Sequence, residues 1–157
     1  MLESGLARNP ADTESFSLAA RERASLAKIV VIEDDVTFLD LLRVHLAGAG
    51  HEVLTAEDAA LGLRAVITEG PDLILLDLTV PYLDGFEMIK ALHNDPATKS
   101  IPLVVLTGRG DDETFARARK LGASHFLTKP VERDVLIRAI ETQLRAPKKQ
   151  TKSKKRS

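Results

Sequence analysis

The sequence predicts a doubly wound α/β fold, in which five parallel strands alternate with five helices. Three observations carry this. Short runs such as IVVI, LILL and PLVVL are apolar throughout. Both faces of such strands call for cover, as in a parallel sheet with helices on each side. Longer segments between them repeat their apolar residues at helical spacing. The two patterns alternate from residue 29 to residue 146, with no other internal repeat.

The elements follow in order. IVVI (29–32) is a β-branched strand. TFLDLLRVHLAGAG is a helix with Phe38, Leu41, Leu42, His45 and Leu46 at helical spacing, closed by glycines that suit a C-cap. HEVLTA (51–56) is a strand. AEDAALGLRAVITEG is a small-residue helix ended by Gly70-Pro71. DLILLDL (72–78) is an apolar strand closed by Asp77. LDGFEMIKALHNDP is a helix with Phe86, Ile89 and Leu92 on one face. IPLVVLT (101–107) is a strand, and DDETFARARKLGA is a polar helix whose leading acids suit the helix dipole. SHFLTKP holds the last strand, and VERDVLIRAIETQLRA the last amphipathic helix.

Length and composition fit that plan. A chain of 157 residues supports one domain with a proper core. We place the domain at 27–146, after a flexible extension at 1–26 rich in Ser, Ala, Arg and Glu and before a basic tail at 147–157. No apolar run approaches the ~18 residues of a membrane span. There is no basic-then-apolar signal pattern and no cysteine, which suits the cytoplasm. The net charge of −1 hides an asymmetry: the last ten residues carry six positive charges, which leaves −6 on residues 28–147. An acidic globule argues against nucleic acid as its main ligand. The tail is read as a solubilising end, with docking to an acidic partner, nucleic acid or anionic membrane as alternatives.

In open α/β sheets, ligands sit beyond the carboxyl ends of the strands. The first strand ends in Glu33-Asp34-Asp35, the third in Asp77, the fourth in Thr107-Gly108 and the fifth in Lys129-Pro130. Each has an ordinary explanation alone. Asp34 or Asp35 suits a helix cap and Asp77 a turn. Thr107 is a normal strand residue, and Lys129 suits a strand end from which its stem can snorkel. Together they are three acids, a hydroxyl and an ammonium on one edge. Adjacent carboxylates resist ionising together. A cation among them resolves that conflict, and Mg²⁺ prefers one or two carboxylates with waters and phosphate oxygens.

The motifs VVIEDD, LLDLTVPYLDGFE, VVLTG and HFLTKP, in this order and spacing, resemble the receiver domain of bacterial two-component response regulators. The resemblance runs from about Ala27 to Ala146. It implies a sheet of order 2-1-3-4-5 and a stand-alone phosphorylation switch, not a turnover enzyme. Asp77 would accept a phosphoryl group from a sensor histidine kinase. Mg²⁺ would be held by Glu33, Asp34, Asp77 and the backbone carbonyl of Thr79. Lys129 and Thr107 would contact the phosphoryl group, Thr107 and Phe126 would form the switch, and Asp35 would cap the next helix. Lys129-Pro130 would be a cis peptide, and Asp84-Gly85 a turn before the third helix in which Gly85 tolerates a positive φ.

Output would pass to a downstream protein through the face of the fourth helix, fifth strand and fifth helix. That face would draw on Arg117, Arg119, Lys120, Phe126, Arg133 and Arg138. The family often forms homodimers there, so a dimer stays open. The chain departs from the family at Val80, Gly108 and Phe126, and Thr79 and Arg109 occupy positions expected to tune dephosphorylation. Alternatives are a shuttle that passes phosphate to a second histidine protein and a pseudo-receiver that only binds partners. Two other classes share the chemistry or the fold. A haloacid dehalogenase-type phosphatase wants an acid where Thr79 stands, and an FMN binder would meet repulsion from the acidic cluster.

Overall fold

A computed structural model describes residues 27–79, 84–108 and 110–146. The extension at 1–26, the tail at 147–157, Val80 and Arg109 lie outside the described residues. Among these residues five strands and five helices alternate: β1 (Lys28–Ile32), α1 (Val36–Gly48), β2 (Glu52–Ala56), α2 (Ala59–Glu69), β3 (Leu73–Asp77), α3 (Gly85–Asn94), β4 (Leu103–Thr107), α4 (Asp112–Leu121), β5 (His125–Thr128) and α5 (Arg133–Arg145). The strands form one parallel sheet of order β2-β1-β3-β4-β5, as the resemblance implied.

Strand alternation sorts the core into two layers. Ile29 and Val31 of β1, Leu73 and Leu75 of β3, and Val104 and Leu106 of β4 face one side, with Leu39 of α1 and Leu136 of α5. Val30, Ile32, Ile74, Leu76, Leu103 and Val105 face the other, with residues of α2, α3 and α4. β3 and β4 are buried at every position, which explains their unbroken apolar runs. β2 lies at a sheet edge and is only partly covered.

Aspartates start four of the helices. Asp35, Asp58, Asp84 and Asp111 cap α1, α2, α3 and α4, each accepting a backbone N–H at 2.7–3.2 Å. Glu132 precedes α5 without such a bond. The end of α2 follows the expected pattern, with Gly70 in the left-handed region at φ 57°.

Two details differ from the expectations. On α1 the buried residues are Leu39, Leu42 and Leu46, while Leu41 is 46% exposed. Gly85 has no positive φ and is the first residue of α3. A Cβ there would lie 2.6 Å from the Leu78 carbonyl oxygen, so glycine is needed for close backbone approach. That approach seats α3 directly beside the end of β3.

Candidate phosphoacceptor and cation site

Sheet register brings the acids together. Ile32 is level with Leu76, so Glu33 emerges beside Asp77. Thr107 is level with Thr128 across β4 and β5, and the Lys129 N–H donates to the Thr107 carbonyl at 2.8 Å. Each functional side chain therefore hangs from the carboxyl end of a strand. Carboxylate oxygens of Glu33, Asp34 and Asp77 lie within 4.8 Å of one another. Glu33 and Asp77 are buried, and Asp34 is exposed.

Lys129 reaches into this cluster. Its Nζ donates to Asp77 Oδ2 at 3.0 Å. It also stands 3.1 Å from Glu33 Oε1, as an ion pair outside hydrogen-bond alignment. Asp77 Oδ1 accepts from the Thr79 N–H and from the Thr79 hydroxyl, both at 3.0 Å. The Asp35 N–H donates to Glu33 Oε2 at 3.1 Å. Asp35 thus caps α1 with its side chain and supports Glu33 with its backbone. The Lys129-Pro130 peptide is cis, as expected.

Among the described residues, one ammonium faces three carboxyl groups, so negative charge is in excess. Two unit charges about 4.8 Å apart repel by on the order of 3 kcal/mol at an effective dielectric constant near 20. Burial raises the Glu33 pKa from 4.5 to about 7; the Asp35 N–H opposes the rise, and the Asp77 charge adds to it. Burial works against the Lys129 ammonium, but the hydrogen bond to Asp77 and the close carboxylates of Asp77 and Glu33 outweigh it and hold its pKa above the usual lysine value. The donor set fits a hard divalent cation. It offers oxygen ligands, excess negative charge, and a buried Glu33 Oε1 with no aligned donor.

Thr107 is buried at the end of β4. Phe126 is half-buried against the core layer of α2, α3 and α4. Its ring centroid lies 5.1 Å from that of Phe115, and the Arg119 guanidinium stands 4.7 Å from it. Arg117, expected on the output face, stacks 3.9 Å from the Phe86 ring of α3. The sequence reading gave Phe38 no place in the site. Its ring lies 4.9 Å from Lys129 Nζ. The available signal was its position, four residues after Asp34 in the first turn of α1.

Comparisons with known proteins agree with this geometry. Residues 29–141 match the response regulator receiver domain. The chain is 32% identical over 119 residues to protein PilH of Pseudomonas aeruginosa, covering 76% of this chain and 98% of PilH. It is 40% identical over 114 residues to the response regulator PleD of Caulobacter vibrioides, covering 71% of this chain but 24% of PleD. Among solved structures, the chemotaxis response regulator CheY4 of Vibrio cholerae superposes with a TM-score of 0.72 at 27% identity, covering 75% of this chain and 98% of that one. A response regulator receiver domain protein from Clostridium thermocellum gives 0.70 at 34% identity, covering 76% and 94%. Among the described residues no helix is long and apolar enough to cross a membrane. From its sequence motifs, its sheet order and these matches, the chain belongs to the response regulator receiver domain family.

Proposed function

We propose that this protein is a single-domain response regulator that accepts a phosphoryl group on Asp77 from a sensor histidine kinase. One observation carries the reading: carboxylates of Glu33, Asp34 and Asp77 within 4.8 Å, with the Lys129 ammonium on Asp77 at 3.0 Å. The 98% coverage of PilH supports the single-domain part. An Asp77 oxygen attacks phosphorus, the phosphorus–nitrogen bond of the phosphohistidine breaks, and the electron pair leaves with the imidazole. Lys129 passes from the carboxylate to a phosphoryl oxygen, and the Thr107 hydroxyl donates to another. Glu33, Asp34, Asp77 and the Thr79 carbonyl would hold Mg²⁺. The bound ion supplies charge neutralisation for the phosphoryl oxygens.

Thr107 then moves toward the phosphoryl group, and Phe126 turns into the space behind it. The result is a population shift between two packings. Phe126 has no hydroxyl, so the switch is one of packing alone. A downstream protein senses it through α4, β5 and α5, with Arg119, Lys120, Phe126, Arg133 and Arg138. Turnover of phosphate esters is disfavoured because Thr79 donates its hydroxyl to Asp77 and offers no carboxyl group as a general acid.

The test is treatment with acetyl phosphate, with and without Mg²⁺, on the wild type and Asp77→Ala, followed by intact mass. One phosphoryl adduct is expected, dependent on Mg²⁺ and absent from the variant. An adduct that survives in Asp77→Ala would sink the assignment.

A further inference from the structure

We propose that Phe38 is a positioning residue for Lys129, holding the ammonium over the site through the face of its ring. The inference rests on the phosphoacceptor reading and extends it to a residue outside the carboxylate cluster. Phe38 is half-buried and packs against the core layer shared by α1 and α5. Its backbone is fixed as well, because its N–H donates to the Asp35 cap at 3.2 Å. The ring is therefore anchored from two directions.

Lys129 is not anchored in that way. It follows a four-residue edge strand, and its side chain is 27% exposed. An ammonium on a flexible four-carbon stem needs several contacts to hold one place. It has three N–H donors. Asp77 Oδ2 at 3.0 Å and Glu33 Oε1 at 3.1 Å supply two contacts, both anionic. The Phe38 ring at 4.9 Å supplies a third, within the range of a cation–π contact.

The third contact differs in kind. When Asp77 takes up a phosphoryl group, Lys129 must leave the carboxylate oxygen for a phosphoryl oxygen. Both of its close oxygen partners are carboxylates, and their hold changes with the reaction. A ring face is neutral and has no preferred direction within its plane. It lets Nζ slide while keeping it over the site and limiting water on its open side. Phe38 thereby steadies the ammonium through the step in which its anionic partners change.

The experiment combines a contact readout with a rate. The Lys129 side-chain protons should be shifted upfield by the ring current in the wild type, lose that shift in Phe38→Leu, and keep it in Phe38→Tyr. Phosphorylation by acetyl phosphate should slow by about threefold to tenfold in Phe38→Leu, the range of a partly desolvated cation–π contact. It should recover in Phe38→Tyr. In a Lys129→Ala background, Phe38→Leu should slow the residual reaction no further. Thermal melting checks that each variant folds. An unshifted Lys129 in the wild type, or an equal slowing by Phe38→Leu with and without the lysine, overturns the proposal. If the wild type took up no phosphoryl group, the phosphoacceptor reading would fail by itself, and the NMR arm would still decide the contact.

Discussion

Helix starts and strand ends use the same side chains to opposite effect. At the starts of α1 to α4, Asp35, Asp58, Asp84 and Asp111 each meet a backbone N–H. Three of them are exposed and Asp58 is half-buried, so water shares their charge. At the ends of β1 and β3, Glu33 and Asp77 are buried beside one another and beside Asp34. Among the described residues, only Lys129 opposes them. A carboxylate at a helix start stabilises the fold locally. A carboxylate in the cluster is costly, and the same excess charge suits a cation. Glu33 and Asp35 stand two residues apart and fall on opposite sides of this division.

The largest expected effect lies in the cluster. Without metal, Glu33 holds its proton more tightly folded (about 7) than in an open chain (4.5). The folded state then binds more protons than the unfolded state between those values, so its stability falls as pH rises through that window. The contribution is complete below 4.5 and gone above 7. The shift corresponds to on the order of 3 kcal/mol. Urea unfolding at pH 5 and pH 8 in metal-free buffer should show that slope, and Glu33→Gln should flatten it. An unchanged slope in the variant would contradict the account. Added Mg²⁺ should restore stability at pH 8, because a bound cation replaces the proton.

A smaller effect is expected at a helix start. Asp58→Ala removes the cap on α2 and should cost about 1 kcal/mol of unfolding free energy. It should leave the phosphorylation rate alone. A slowed reaction would mean that caps and cluster are coupled. The smallest effect is a gain. Glu132 precedes α5 without a side-chain cap bond. Glu132→Asp shortens the side chain and should add about 0.5 kcal/mol in the same measurement.

The sequence makes the site edge legible because the apolar strands stop abruptly. Val30 to Ile32 gives way to Glu33, and Leu76 to Asp77, with no gradual transition. Lone capping does not account for polar endings on four strands. The sheet order came from the resemblance, since strand alternation alone does not decide which neighbours pair. Finer choices were not legible. On α1, Leu41 and Leu39 both fit a helical repeat, and the packing of α1 against the sheet and α5 selects Leu39. Gly85 looked like a positive-φ turn, but its need arises from the Leu78 carbonyl, a neighbour seven residues back in the chain. The ring contact between Phe38 and Lys129 spans most of the domain, and only the place of Phe38 in the first turn of α1 hints at it.

The sheet order also sets how the site comes apart. Glu33 follows β1 and Asp77 ends β3, and both strands have a neighbour on each side. Lys129 follows β5, which has four residues and pairs only with β4. Edge elements with fewer contacts open at lower free energy than the centre. If β5 frays, Glu33 and Asp77 stay with the central strands while Lys129 is withdrawn from them. The charge balance of the cluster therefore depends on the pairing of one short edge strand.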